Sequence, residues 1–282
     1  MTAGRAIWKD PRATFGIGAL ALLAVVALAG PVVYDLDPLA QRDVVQTRLL
    51  PPFSIDHLGT RHWLGTDALG RDMLARLIHG SRISLTVGFL SMFVSVLLGA
   101  AIGMASAVWG GSFERALMGV TDAVLAMPRL VLLLALVTLW EPSLPLTVLV
   151  LGFTGWMSLA RLTRAEAKGV LARPYSVAAM SAGANRRRLL ARHVIPNAMT
   201  PIVIVAALSV GNAIMLEAGL SFLGLGIPAP APSWGNMIAA GRNTLVNAPW
   251  VAVLPGVALV VSVVACNLLG DGVRDVLDPN TA

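Results

Sequence analysis

The chain has 282 residues, 56% of them hydrophobic and 13% charged, with a formal net charge of +6 and a mean hydropathy of +0.76. A soluble domain carries about a quarter charged residues, so this composition, with uncharged runs of 22 to 31 residues, excludes an ordinary soluble globule. It excludes a disordered chain too, because far too much of it is apolar. The class that remains is an all-α polytopic membrane protein.

A helix crossing roughly 30 Å of hydrocarbon needs about 20 apolar residues. Residues 1–12 form a basic tail with Arg5, Lys9 and Arg12, and the 22 uncharged residues 13–34 form the first span. Basic tail, apolar stretch and Ala27-Leu28-Ala29 together resemble a cleavable leader, although the apolar stretch is long for one. A loop follows at 35–82, with an amphipathic segment at 71–78, and the second span lies at 83–107. The third, 116–139, carries Asp122 and Arg129, seven apart, which places them two turns along one helix face. The fourth fits the 19 uncharged residues between Glu141 and Arg161, the fifth occupies 196–216, and the sixth 249–270. The stretch 218–241 is uncharged but holds IPAPAPSWG, too rich in Pro and Gly for a lipid-exposed helix, and reads as a loop. Six spans result, with a core at 83–270 and a tail at 271–282.

Orientation follows from the Lys/Arg bias of short loops. Segment 161–196 carries Arg161, Arg164, Lys168, Arg173, Arg186, Arg187, Arg188 and Arg192. Four spans separate it from the basic N-terminal tail, so both lie on one side, expected to be cytoplasmic, as does the C-terminal tail. Loop 35–82 then faces outward with six Arg and six Asp. In a soluble protein the basic balance would point to nucleic acid; here loop placement accounts for it.

Several chemistries are missing. Neither Lys9 nor Lys168 follows a glycine, so there is no phosphate-cradling Walker loop. No HExxH and no Gly-x-Ser-x-Gly occurs, and His57 and His62, five apart in a loop, more often stand solvated than share a metal. The single cysteine, Cys266, excludes intrachain disulfides and cysteine-built metal centres. Neither a catalytic residue nor a metal site is expected. The ionisable and polar groups inside spans, Asp122, Arg129, Asn212 and Glu217, read either as pathway residues or as groups paired within the bundle. Gly99 and Gly103 form a small-xxx-small face suited to close helix packing.

The most informative stretch is PYSVAAMSAGANRRRLLARHVIPN, residues 174–197. Pro174 suits a first helical turn, 176–182 a short helix ended by Gly183, Asn185 the cap of a second helix over 186–195, and Pro196 the opening of the fifth span. This helix–Gly–helix knob either lies on anionic lipid through its arginines, at about 1 kcal/mol each, or docks its small-residue face into a protein groove.

The spacing Ala178-Ala179, three residues, Gly183, nine residues, then His193-Val194-Ile195-Pro196 resembles the EAA loop of ABC importer permeases. The segments LGTDALGRDMLARLIHGSRISLTVGF (64–89), ARPYSVAAMSAGANRRRLLARHVIPNA (172–198), EAGLSFLGLGIPAPAPSWGNMI (217–238) and NLLGDGVRDVLDP (267–279) resemble one branch. It is the second, C-type permease of dipeptide, oligopeptide and nickel importers. The family's loop glutamate is Val177 here, and its first loop isoleucine is His193.

The resemblance implies a type I ABC importer permease fold of six transmembrane helices in the bacterial inner membrane. It implies a heterodimer with a second permease, two cytoplasmic ATPase subunits that bind ATP and Mg, and an extracytoplasmic binding protein that delivers a peptide or related small solute. This chain would hold no cofactor. Val177, Ala178, Ala179, Gly183, Arg186, Arg187, Arg188 and Pro196 would belong to the ATPase-coupling loop, and the Pro/Gly loop and segment 71–78 would lie outside. A secondary transporter would instead require paired inverted repeats, and no repeat occurs at a fixed period.

Overall fold

The computed structural model describes residues 10–41 and 43–277. Arg5 and Lys9 of the basic tail, Arg42 of the long loop, and residues 278–282, which include the last two of NLLGDGVRDVLDP, lie outside the described residues.

Helix α1 (Pro11–Val33) starts where Asp10 accepts a hydrogen bond from the Arg12 amide (2.8 Å) and proline takes the first turn. At 23 residues it is long enough to cross a bilayer. Pro31 lacks an N–H, which frees the Ala27 carbonyl one turn earlier. Arg82 fills that vacancy: its Nε donates to the Ala27 carbonyl at 2.6 Å. A charged residue that reads as the edge of a span is thus a side-chain donor to the backbone of the neighbouring helix.

After α1 the chain forms the short α2 (Val44–Thr47) and a small antiparallel hairpin, β1 (Ser54–Ile55) and β2 (Arg61–His62), with Ser54 opposite His62. Helix α3 (Met73–Trp109) then runs unbroken for 37 residues, roughly 55 Å at 1.5 Å per residue. The second span therefore begins ten residues before the expected 83, and residues 73–78 of the amphipathic segment 71–78 form its first turns rather than a separate piece. Asp72 makes this possible by capping α3 through the Ala75 amide (2.8 Å).

The third span is broken. Helices α4 (Gly111–Leu125) and α5 (Arg129–Val137) meet at 87°. Pro128 lacks an N–H and disfavours a helical Met127, so the helix cannot continue through 126–128. Asp122 and Arg129 consequently do not share one helix face, contrary to the reading of 116–139 as a straight span. The fourth span is a pair, α6 (Leu144–Phe153) and α7 (Trp156–Leu171), which together run well past the expected end at 160. Residues 161–171 are therefore helix and not loop.

After the short α8 (Pro174–Ser181) and α9 (Arg186–Leu189), a π-helical turn (Leu190–Val194) leads without interruption into α10 (Ile195–Phe222). The region read as loop, 218–241, contains the end of α10 and a further helix, α11 (Trp234–Gly241), capped by Ser233 through the Asn236 amide (3.2 Å). Helix α12 (Trp250–Leu277) closes the fold. Among the described residues, five helical stretches are long and apolar enough to cross a membrane, six if the bent α4–α5 pair counts as one span.

Helix α3 is the axis of the bundle, packed on α7, α10, α6 and α1. Its contact with α7 is the most intimate. A Cβ at Gly99 would lie 2.8 Å from the Trp156 carbonyl, and one at Gly103 would lie 2.9 Å from the Arg164 nitrogen. Ser91 and Ser95 donate to the carbonyls of Val148 (3.2 Å) and Gly152 (2.9 Å) on α6. Lipid supplies no hydrophobic drive for helix association, so small residues and interhelical hydrogen bonds carry it. The face of α1 with Phe15, Leu22, Val25 and Leu28 stays exposed, as a lipid-contacting span requires.

Candidate functional site

The basic loop between α7 and α10 is folded as a compact projection. Helix α8 ends in a Schellman motif: the Gly183 amide donates to Met180 and the Ala184 amide to Ala179, both at 3.0 Å, with Gly183 at φ +81°. Asn185 caps α9 by accepting from the Arg188 amide (2.8 Å). Ser176, fully buried, ties α8 back to α7 by donating to the Val170 carbonyl (2.8 Å). The Tyr175 ring lies over His193, centroids 5.6 Å apart. Fastened in this way, the projection exposes Val177, Ala178, Met180, Gly183 and Arg186 to Arg188, while Ala179 is half-buried.

The second expected helix, 186–195, is instead the capped start of α10. Pro196 falls in its first α-turn, and its missing N–H removes a bond to the Arg192 carbonyl. The backbone widens just before it, with the Ile195 amide donating to Leu190, and Asn197 Nδ2 donates to the His193 carbonyl (2.7 Å). Glu114 of α4 binds both Arg164 and Lys168 of α7, which holds the helix that carries the projection.

Two polar clusters lie at the other end of the bundle. Asp67 binds Arg71 through Nε (2.8 Å) and Nη2 (2.7 Å) and lies 3.6 Å from Arg76 Nε. Thr66 donates to the Thr47 carbonyl (2.5 Å), and Trp250 Nε1 donates to the Thr66 carbonyl (3.2 Å). His62 sits between Asp72 (2.8 Å) and Asp56 (3.4 Å), whereas His57 lies near Asp43, so the two histidines do not converge. Burial alone would raise the Asp56 pKa, but hydrogen bonds from the Thr60 amide, His62 and the Leu58 amide hold it below the usual carboxylate range.

The second cluster surrounds Glu217, completely buried within α10. Ser221 and Ser84 donate to its two carboxyl oxygens at 2.7 and 3.2 Å. Ser84 in turn accepts from the Trp234 amide (3.2 Å), and Ser221 from the Ile227 amide (3.2 Å). One carboxyl therefore pins loop 223–233 and the start of α11 onto α3.

Glu217 was legible as a membrane carboxyl. Ser221 stands one turn further along the same helix, but Ser84 was not legible, because it is 133 residues away. Asn212 lines a different, small polar cavity with Ser91, Ser95 and Arg129. Asp122 lies exposed on α4, 3.5 Å from Arg161.

The architecture defines a class: a multi-pass helical membrane subunit with the fold of ABC importer permeases. The solved MetNI methionine ABC transporter in inward-facing conformations superposes with a TM-score of 0.61 at 19% identity, covering 73% of this chain and 98% of that one. An amino acid ABC transporter structure gives 0.54 at 18% identity, covering 71% and 93%. Residues 95–282 match the model of the binding-protein-dependent transport system inner membrane component, and the chain belongs to that family.

Its relatives include a di/tripeptide transport system permease protein of Pseudomonas aeruginosa, 40% identical and covering 94% of this chain and 86% of the relative. A probable peptide ABC transporter permease of Sinorhizobium fredii is 39% identical, covering 99% and 93%. A putative peptide transport system permease of Brucella suis is 38% identical, covering 95% and 88%.

Replacing Glu217 with Ala takes away the carboxylate to which the buried Ser84 and Ser221 hydroxyls donate, which should cost about 1–3 kcal/mol. Glu217→Gln, which keeps an acceptor oxygen, should cost less. Thermal unfolding of the purified chain in detergent ranks the two, and equal stability of Glu217→Ala and the parent would contradict the pinning role.

Proposed function

We propose that this ABC importer permease provides half of the pathway for peptides or a related small solute. A second permease would complete the pathway as a heterodimer, two ATPase subunits would bind it from the cytoplasm, and an extracytoplasmic binding protein would deliver the cargo. The names of its relatives support the peptide reading. The chain itself is non-catalytic, and ATP with its magnesium ion belongs to the ATPase subunits, since no phosphate-cradling loop occurs in the sequence.

The observation that carries the coupling reading is the projection at 172–195. It presents an apolar surface of Val177, Ala178 and Met180 beside Gly183, flanked by three exposed arginines. A helix lying on lipid would need its apolar residues on the membrane side, whereas here the buried side is occupied by Ser176 and Leu189 against the protein's own bundle. We assign Val177, Ala178, Ala179 and Gly183 to contact with an ATPase groove, Arg186, Arg187 and Arg188 to its acidic rim, and Pro196 to the junction with the span. Closure of the ATPase dimer on ATP draws the two coupling loops together, and α7 and α10, attached to the loop, transmit the movement as rigid levers. Glu217 has a positioning part in this scheme.

In this reading both termini and the projection are cytoplasmic, and segment 35–72, the start of α3 and loop 223–233 face outward, as the Lys/Arg bias requires. A reporter active only outside the membrane should be active after Asp56 and silent after Ala184. Activity after Ala184 reverses the orientation.

Gly183 has open space around it but a left-handed backbone, which a side chain adopts at a cost of about 1 kcal/mol or more. Gly183→Arg adds that strain and sets a long side chain against the wall of the ATPase groove, so it should abolish uptake by the assembled importer and weaken co-purification of the ATPases, while Arg187→Ala should leave most uptake intact. Normal uptake in Gly183→Arg with a large loss in Arg187→Ala would show that the loop works through charge on a lipid or protein surface.

A further inference from the structure

The break in the third span leaves one cation unaccounted for. Arg129 opens α5 immediately after the bend, and among the described residues no carboxylate forms an ion pair with it. Asp122, the acid nearest in sequence, is engaged with Arg161. The Arg129 Nε is buried without a hydrogen-bond partner, and its Nη2 makes only a long contact with the Leu151 carbonyl (3.4 Å). Ionisable side chains within spans are costly, and pair with one another, bond backbone carbonyls or line a route for a solute. Pairing does not explain Arg129.

The surroundings of Arg129 match the last role. The guanidinium borders an open cavity of about 390 Å³ at the bend, walled by Leu125, Met127, Leu132 and Met157, with Thr154 and Ser158 as polar points. That volume lies in the range of small-molecule sites. The thioethers of Met127 and Met157 can adapt to side chains of different shape. Behind the guanidinium, a polar cavity of about 30 Å³ lined by Ser91, Ser95, Ser209 and Asn212 has room for a water molecule or two, which would hydrate its inner side. Gly155 keeps the floor low, since a Cβ there would lie 3.2 Å from Nη2.

We propose that Arg129 is a carboxylate-binding residue of the translocation route, holding the C-terminal carboxylate of a peptide as it passes the bend between α4 and α5. The guanidinium fork offers two parallel N–H donors to a carboxylate, and the apolar walls take the peptide's side chains. This rests on the peptide reading above and adds a specific contact within the membrane.

The test uses the complete importer in proteoliposomes with a radiolabelled dipeptide. Arg129→Gln should lower the maximal uptake rate by about tenfold or more, and Arg129→Lys by only a few-fold, because a lysine keeps the charge but not the fork. The peptide concentration for half-maximal uptake, set by the binding protein, should not move. Met127, which is 56% exposed beside the cavity, supplies a second readout as Met127→Cys, since the sole native cysteine, Cys266, is buried. Delivered peptide should slow thiol labelling at position 127 when Arg129 is present, and should not when it is Gln.

Uptake by Arg129→Gln at the parental rate overturns the assignment. So does peptide protection that is absent in the Arg129 chain, a result that stands even if Arg129→Gln fails to assemble. Labelling that depends on anionic lipid and not on peptide would give the guanidinium to a lipid phosphate and overturn it equally. An unmodified importer that moves no peptide would instead overturn the peptide reading, and this contact with it.

Discussion

The backbone-to-backbone contact of α3 with α7 at Gly99 and Gly103 is the constraint on which the remaining geometry depends. Any side chain at either glycine would collide with the main chain of α7, so the two helices approach only because both positions lack a Cβ. Within a bilayer such contact replaces the hydrophobic drive available in water. It fixes α7 relative to the axis of the bundle, and α7 carries the projecting loop. Ser176 bonded to the Val170 carbonyl, and Glu114 bound to Arg164 and Lys168, extend the same fixed body along the C-terminal half of that lever, where the loop is attached.

The opposite end is held by charge and hydroxyl groups. The LGTDALGRDM motif is a buried staple: Asp67 gathers Arg71 and Arg76, Asp72 caps α3 and holds His62, and Thr66 ties in α2 and Trp250. Burying charges is tolerable only where each has a partner and its other polar atoms are satisfied, which is the arrangement here. Glu217 does the same for the Pro/Gly loop through Ser84 and Ser221. Segments that look like irregular loop are thereby anchored at buried points such as Thr66, Asp67, Ser221 and Ser233, while residues such as Phe53, Leu58 and Leu223 stay exposed.

Much of this was legible in the sequence. Apolar runs of bilayer length reveal the spans because hydrocarbon forces each segment to satisfy its own backbone. Pro174, Gly183 and Asn185 reveal the projection because each has a conformational reason to sit at a helix end. The early start of α3 was hidden because Arg71, Arg76 and Arg82 look like loop residues; only in three dimensions do they meet Asp67 and the Ala27 carbonyl vacated by Pro31. The break at 126–128 was hidden because composition over 116–139 is the same for a straight span and a bent pair. Helix α11 was masked by the prolines before it, and Ser84 lies too far from Glu217 in the chain to form a local pattern with it. Segments that carry the family resemblance fall at the projection, the staple and the Glu217 knot, away from the break at 126–128.

The central claim is that the projection moves as one body with α7. The most direct measurement places spin labels at Ala165→Cys on α7 and Ser181→Cys on the projection, both exposed positions, in the assembled importer. Their distance distribution is then compared without nucleotide and with ATP trapped. A single narrow distance that shifts by no more than about 1 Å between the two states is the predicted result. A shift of several ångströms, or a broad distribution in either state, would contradict the account by showing that the loop swings independently of the helix that carries it.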